Sequence, residues 1–97
     1  MEYDWDTAKN RANLAKHGIS FDDAKHIFDG PILTWVDDRQ DYGEIRYISI
    51  GALSATAVLV VVHTERNGKI RLISARKANR QERKRYFDCL QETSQRD

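Results

Sequence analysis

The stretch from Arg66 to Arg85 holds nine lysines and arginines against one acid, Glu82. Arg66, Lys69 and Arg71 surround an Asn67-Gly68 dipeptide, and Arg76, Lys77 and Arg80 follow closely. Cations this close repel one another. A chain keeps them together when an anion, an acidic partner or solvent relieves the repulsion. Arginine presents a planar fork of donors that matches two phosphate oxygens. The last three of these cations stand at the start of a predicted helix, whose free N–H groups and positive dipole end also suit a phosphate. The pattern therefore points to a polyphosphate backbone as partner. His63, just before Arg66, has an intrinsic pKa near neutrality and could act as a general acid or base. The alternative is a buried strand-end histidine, satisfied by Glu65 or by backbone.

The other histidines offer less. His17 precedes Gly18 and can complement a helix C-terminus, and His26 has no evident partner in its own segment. Lys16 is solvated unless its helix end abuts the basic face. Arg46 shares a strand face with Ile48 and Ile50, so its stem is expected to pack. Trp5 and Trp35 read as core or interface anchors. Cys89, the one cysteine, reads as a small buried hydrophobe and allows no internal disulfide. No Cys/His cluster has zinc spacing, and no glycine-rich phosphate loop occurs, so neither metal nor cofactor is expected.

The elements that must position these residues fit in one domain, 1–97, since 97 residues leave no room for a second core. The longest apolar run, Ala57 to Val62, falls far short of the ~20 residues that span a bilayer. The N-terminus is acidic and lacks an apolar signal region, which suggests a cytoplasmic protein without membrane association. The net charge of +1 hides a segregation. Residues 1–65 hold 6 Lys/Arg against 11 Asp/Glu, and residues 86–97 hold one Arg against three acids.

Glu2–Trp5 reads as an edge strand. Asp6 caps a helix over Thr7–Lys16 with Ala8, Ala12 and Ala15 on one side, and Gly18-Ile19 ends it in a Schellman arrangement against Leu14. Ser20 opens a second helix with Asp23 three residues on, and Phe21, Ala24, Ile27 and Phe28 form its apolar stripe. Gly30-Pro31 ends that helix. Strands follow at Ile32–Val36, Glu44–Gly51, Ala57–Thr64 and Lys69–Ala75, with a charged loop from Asp37 to Gly43. The third of these is apolar on both faces, as a central strand should be. Asn79 and Glu82 start a last helix with Tyr86, Phe87 and Leu90 inward and Arg80, Lys84 and Arg85 outward. Residues from about 91 to 97 are expected as a loose tail. The order β-α-α-β-β-β-β-α gives an α+β fold with an antiparallel or mixed sheet of four to five strands.

A two-residue turn at Asn67-Gly68 sets a register. Arg66 faces Lys69, Glu65 faces Ile70, Thr64 faces Arg71, His63 faces Leu72 and Val62 faces Ile73. Arg66, Lys69, Thr64 and Arg71 then share one face, with His63 and Glu65 on the other. From mid-strand, His63 and Arg71 cannot both point straight into one shallow site.

Several pieces also carry a family resemblance. They are Trp5-Asp6, Lys9, Asn13, the KHGISF segment (Lys16 to Phe21), Ile48 to Gly51, the HTER segment (His63 to Arg66), Ile73 to Lys77, Glu82-Arg83 and Tyr86. In this order they resemble the BrnT family of type II toxins, from about Tyr3 to Tyr86. The resemblance implies a RelE-like fold and a metal-independent endoribonuclease that inhibits translation. It also implies a BrnA-type antitoxin with a ribbon-helix-helix domain, through which alone operator DNA is reached. In such a nuclease the RNA 2′-OH attacks the adjoining phosphate and leaves a cyclic phosphate. The resemblance makes Arg66, Arg71 and Arg76 candidates to stabilise that phosphate. His63 becomes the default acid or base, with a lysine or arginine base as the alternative. Lys16, Arg46, Lys69, Lys77 and Arg80 become candidates for RNA contact. A second reading is a non-enzymatic module, or an inactive homologue, whose basic face binds nucleic acid or an acidic antitoxin segment.

Overall fold

Asp6 accepts the Lys9 N–H at 3.0 Å, and Ser20 accepts that of Asp23 at 3.1 Å, so both expected N-caps form. The computed structural model describes residues 1–94. Its order is β1 (Tyr3–Trp5), α1 (Thr7–His17), α2 (Phe21–Ala24), a 3₁₀ helix (Lys25–Asp29), β2 (Ile32–Val36), β3 (Tyr47–Ala52), β4 (Val58–Arg66), β5 (Lys69–Lys77) and α3 (Arg80–Ser94). The five strands make one mixed sheet in the order β1-β5-β4-β3-β2. Every contact between neighbours is antiparallel except β1 with β5. The apolar strand β4 is central, as its two-sided hydrophobicity requires.

Each sheet face has its own core. Ile19, Phe21, Ala24 and Ile27 pack on Leu59, Val61, Ile70, Leu72 and Ala75 on one face. On the other, Tyr86 of α3 packs with Ile50, Val58 and Val60, joined by Leu33, Trp35, Ile48 and Leu90. The Tyr86 hydroxyl donates to the Pro31 carbonyl at 2.8 Å.

Several expectations are corrected. The apolar stripe over residues 21–28 does not make one α-helix. It turns 3₁₀ at Lys25, which presses Ile27 against β3. A Cβ on Gly51 would lie 2.8 Å from the Ile27 Cβ, so this contact needs a glycine. The side of α1 with Ala8, Ala12 and Ala15 stays exposed, and Asn13 is its buried residue. Asn13 donates to the Ile19 and Ala75 carbonyls at 2.9 and 2.8 Å and accepts the Ala75 N–H at 3.0 Å, docking the helix on β5 by amide pairing. Gly18, at φ 71, ends α1 with a single bond from its N–H to the Leu14 carbonyl. That is the simpler left-handed ending rather than the Schellman one, and Leu14 remains half exposed.

β3 begins at Tyr47, not Glu44, while β5 runs on to Lys77. Phe87 is 42% exposed, because Tyr86 takes the inward position beside it. Helix α3 continues through residues 91–94, and residues 95–97 of the expected tail lie outside the described residues. No helix among the described residues is long and apolar enough to cross a membrane.

Candidate functional site

The hairpin turns at Asn67 (φ 54) and Gly68 (φ 77), the two positive-φ positions of a type I′ turn. Four pairs follow the expected register, from Arg66–Lys69 to His63–Leu72. The fifth does not. Val62 pairs with Ser74 instead of Ile73, because a β-bulge inserts one residue into β5. Beyond the bulge the alternation of β5 is inverted. Val60 faces Arg76, so Arg76 projects on the same face as Arg71 and Arg66. In an unbulged strand it would have pointed among the N-terminal helices.

The cations form a line rather than a cluster. Arg76 stands opposite Val60, Arg71 opposite Thr64, and Lys69 opposite Arg66. At a rise of about 3.3 Å per residue, Arg76 and Arg71 are ~13 Å apart and the whole line runs ~20 Å. One phosphate cannot touch Arg76 and Arg66 together, but a single strand lying along β5 can touch each in turn.

Each of these cations is held by an acid. Arg71 meets Asp4 of β1 at 2.8 Å, Arg66 meets Glu44 at 3.1 Å, and Lys69 meets Glu2 at 3.6 Å. Arg76 makes two 2.8 Å bonds to the two Glu82 oxygens. Glu82 also completes a reciprocal capping box with Asn79, both bonds at 2.8 Å. The Arg76 hydrogen bond holds the Glu82 carboxyl below its ordinary pKa, and that of Arg66 does the same for Glu44. The charge segregation along the chain is thus undone in space, since acids of the N-terminal half sit against the basic hairpin.

At the Arg76 end the face closes into a cleft of about 270 Å³, lined by Trp35, Arg39, Ile48, Val60, Val62, Ser74, Arg76 and Glu82. Arg39 reaches it from the loop after β2. Its guanidinium lies on Asp37, with Nε to Oδ1 and Nη2 to Oδ2 both at 2.7 Å. Sequence reasoning missed Arg39, Ser74 and Trp35 as site residues, and saw in Glu82 only a helix cap. The Arg76–Glu82 pair had a signal in its junction spacing. Arg39 had none, because nothing local says that its loop folds back over the sheet.

His63 is not brought together with these groups. It lies on the opposite face, 7% exposed, with Nε2 2.7 Å from the Ser49 hydroxyl, which in turn meets that of Thr34 at 2.7 Å. Its ring stands edge-on to Phe28 at 5.0 Å and stacks near Tyr47 at 5.7 Å. Burial lowers its pKa to about 4, so it is neutral at physiological pH. It lines a separate, largely apolar cavity of about 450 Å³ with Tyr3, Phe28, Tyr47 and Glu65.

The expected RNA contacts divide. Lys69 lies on the cation line. Lys16 is exposed and lines a hollow with Lys9, Asn13, Ile73 and Ser74 beside the bulge, which none of the line cations enters. Arg46 is largely buried, its guanidinium 4.1 Å above the Tyr42 ring and 3.7 Å from Glu44. Lys77 is exposed but pairs with Leu59, which turns it to the face of the N-terminal helices, opposite Arg76. Arg80 is exposed in the first turn of α3. Among the described residues, no three His, Cys, Asp or Glu side chains group as metal ligands would.

A crystal structure of the Brucella abortus ribonuclease toxin BrnT has the same fold, with a TM-score of 0.61 at 24% identity, over 82% of this chain and 99% of that one. A search of curated proteins returns no match. The family model for BrnT, the ribonuclease toxin of type II toxin–antitoxin systems, matches residues 5–82, most of the sheet and helices described above. On that match the chain belongs to the BrnT family of ribonuclease toxins.

Proposed function

We propose that this chain is a metal-independent endoribonuclease, RelE-like in fold and mode of action, that arrests translation by cleaving RNA. The observation that carries the reading is the bulge at Val62–His63, which sets Arg76 on one face with Arg71 and Arg66. RNA lies along that line, and Arg71, Arg66 and Lys69 hold successive phosphates. The reaction takes place at the Arg76 end, in the cleft that Trp35 and Ile48 help to line. There the 2′-OH attacks its own phosphate, the P–O5′ bond breaks and the 5′-oxygen leaves with a proton from solvent water, while Arg76 offers oriented donors to the pentavalent group as negative charge develops.

Glu82 is the carboxylate in reach of that site, and we assign it the 2′-OH proton. As Arg76 shifts from Glu82 to the phosphate, the bond that depresses the carboxyl pKa is lost, and the base strengthens when it is needed. His63, on the other face and neutral, takes no part in this scheme. The partner is a BrnA-type antitoxin, whose ribbon-helix-helix domain carries the complex to operator DNA in the cytoplasm.

The test is incubation of the purified protein with RNA and excess EDTA. Cleavage that leaves a 2′,3′-cyclic phosphate is expected. Tight binding without cleavage would convert the reading into a non-catalytic module.

A further inference from the structure

We propose that Arg39 binds the same phosphate as Arg76, held in place by the buried Asp37 acting as a positioning residue. The inference rests on the ribonuclease reading above and adds to it a residue outside the basic stretch.

The asymmetry of the Asp37–Arg39 pair is what argues for it. The Asp37 carboxylate is wholly removed from solvent, whereas the Arg39 side chain is 66% exposed. Asp37 accepts four hydrogen bonds, from the Arg39 Nε, Nη2 and backbone N–H and from the Tyr42 hydroxyl. Those bonds hold its carboxyl well below the usual carboxylate range, the Arg39 side chain contributing most. A carboxylate buried this way is spent on fixing the loop and the guanidinium. The side-on fork uses Nε and one hydrogen of Nη2, and leaves Nη1 free to donate elsewhere.

The place where that free edge lies matters. Arg39 and Arg76 line one cleft, and the charge of Arg39 is close enough to disfavour that of Arg76. Two guanidiniums with fixed donors and Trp35 beside them form a phosphate clamp that loses little side-chain entropy on binding. Had the pair served only to tie the loop, nothing would require Arg39 to face the cleft.

The test uses a 2′-O-methyl RNA oligonucleotide, which binds but cannot be cleaved, together with cleavage of the matching RNA. Arg39→Gln alone strands a buried carboxylate and can unfold the loop. The double variant Asp37→Asn/Arg39→Gln removes both charges together, and Arg39→Lys keeps the pair ionic without the fork. We expect the double variant to melt within a few degrees of the wild type and to bind the oligonucleotide about 10-fold more weakly. Its log–log salt slope should change by less than the ~0.7 of a whole phosphate contact on a single strand, because Arg76 still neutralises the shared phosphate. Asp37→Asn alone should lose only part of that affinity, because Arg39 keeps its charge but not its fixed orientation, and Arg39→Lys should also recover only part of the affinity. A folded double variant with wild-type affinity would overturn this inference and leave the ribonuclease reading standing. A wild-type protein that neither binds nor cleaves RNA would overturn both.

Discussion

His63 is buried as a neutral imidazole, and this has a consequence for stability. In the unfolded chain it takes a proton near pH 6.5, and in the folded chain only near pH 4. Between those values the unfolded state holds more protons, so acid lowers stability, by on the order of 3 kcal/mol across the window. We expect His63→Gln to flatten the dependence of the melting temperature between pH 6.5 and 5 while RNA cleavage stays within a few-fold of wild type. A loss of cleavage on the order of 100-fold in a folded His63→Gln protein would place the histidine in the reaction. Arg76 carries the opposite expectation. Arg76→Ala should cut cleavage on the order of 100–1000-fold, as loss of a transition-state donor does, and abolish growth arrest when the toxin is expressed alone. Arg71→Ala should abolish growth arrest as well, through loss of RNA binding. Lys84→Ala, whose side chain meets Asp88 on the exposed side of α3, should change neither.

Two element-level contacts set the position of the site. Asn13 binds both backbone groups of Ala75, two residues past the inserted Ile73, and so pins the bulged half of β5 to α1. Asn13→Leu leaves the Ala75 N–H and the Ala75 and Ile19 carbonyls without their side-chain partner, each worth about 1–3 kcal/mol. We expect a large drop in melting temperature, with cleavage lost further because Arg76 is one residue on. On the far side of the sheet, Gly51→Ala drives a methyl into Ile27. Overpacking of that kind costs about 1–3 kcal/mol, and it should leave cleavage by the folded fraction intact, since Gly51 lies on the face away from the cleft. Thermal melts paired with cleavage assays separate the two cases.

At the scale of the molecule, the acidic first half and the basic hairpin interleave. Glu2, Asp4 and Glu44 reach Lys69, Arg71 and Arg66 across the sheet, so the face presents oriented donors more than a bare positive field. An RNA strand bound to this face would have to displace or share these acids. If the four cations on the line each neutralise one phosphate, log Kd against log salt should have a slope of about 3, and fluorescence anisotropy over a salt series measures it. Affinity that is flat between low and physiological salt would remove RNA from this face. Removing an acid should act in the other direction, with Asp4→Asn tightening RNA binding severalfold as Arg71 is released.

The order of the elements, the two N-caps, the turn at Asn67-Gly68 and the central place of β4 were legible in the sequence, because each depends on residues a few positions apart or on the apolar content of one segment. The four register pairs nearest the turn were legible for the same reason. The first misread pair, Val62 with Ser74, marks where that information ends. No residue near Ile73 announces a bulge, which is set by the helix and strands that β5 must satisfy at once. The face occupied by Arg76 follows from the bulge, so the site itself was decided by tertiary packing. So was the entry of Arg39, carried in by a loop whose anchor, Asp37, finds its buried place only when β2, β3 and the following loop are assembled. The sequence determined which residues could bind a phosphate. Only the packed sheet decided which of them share a face, since side-chain direction in a strand reverses with every residue inserted.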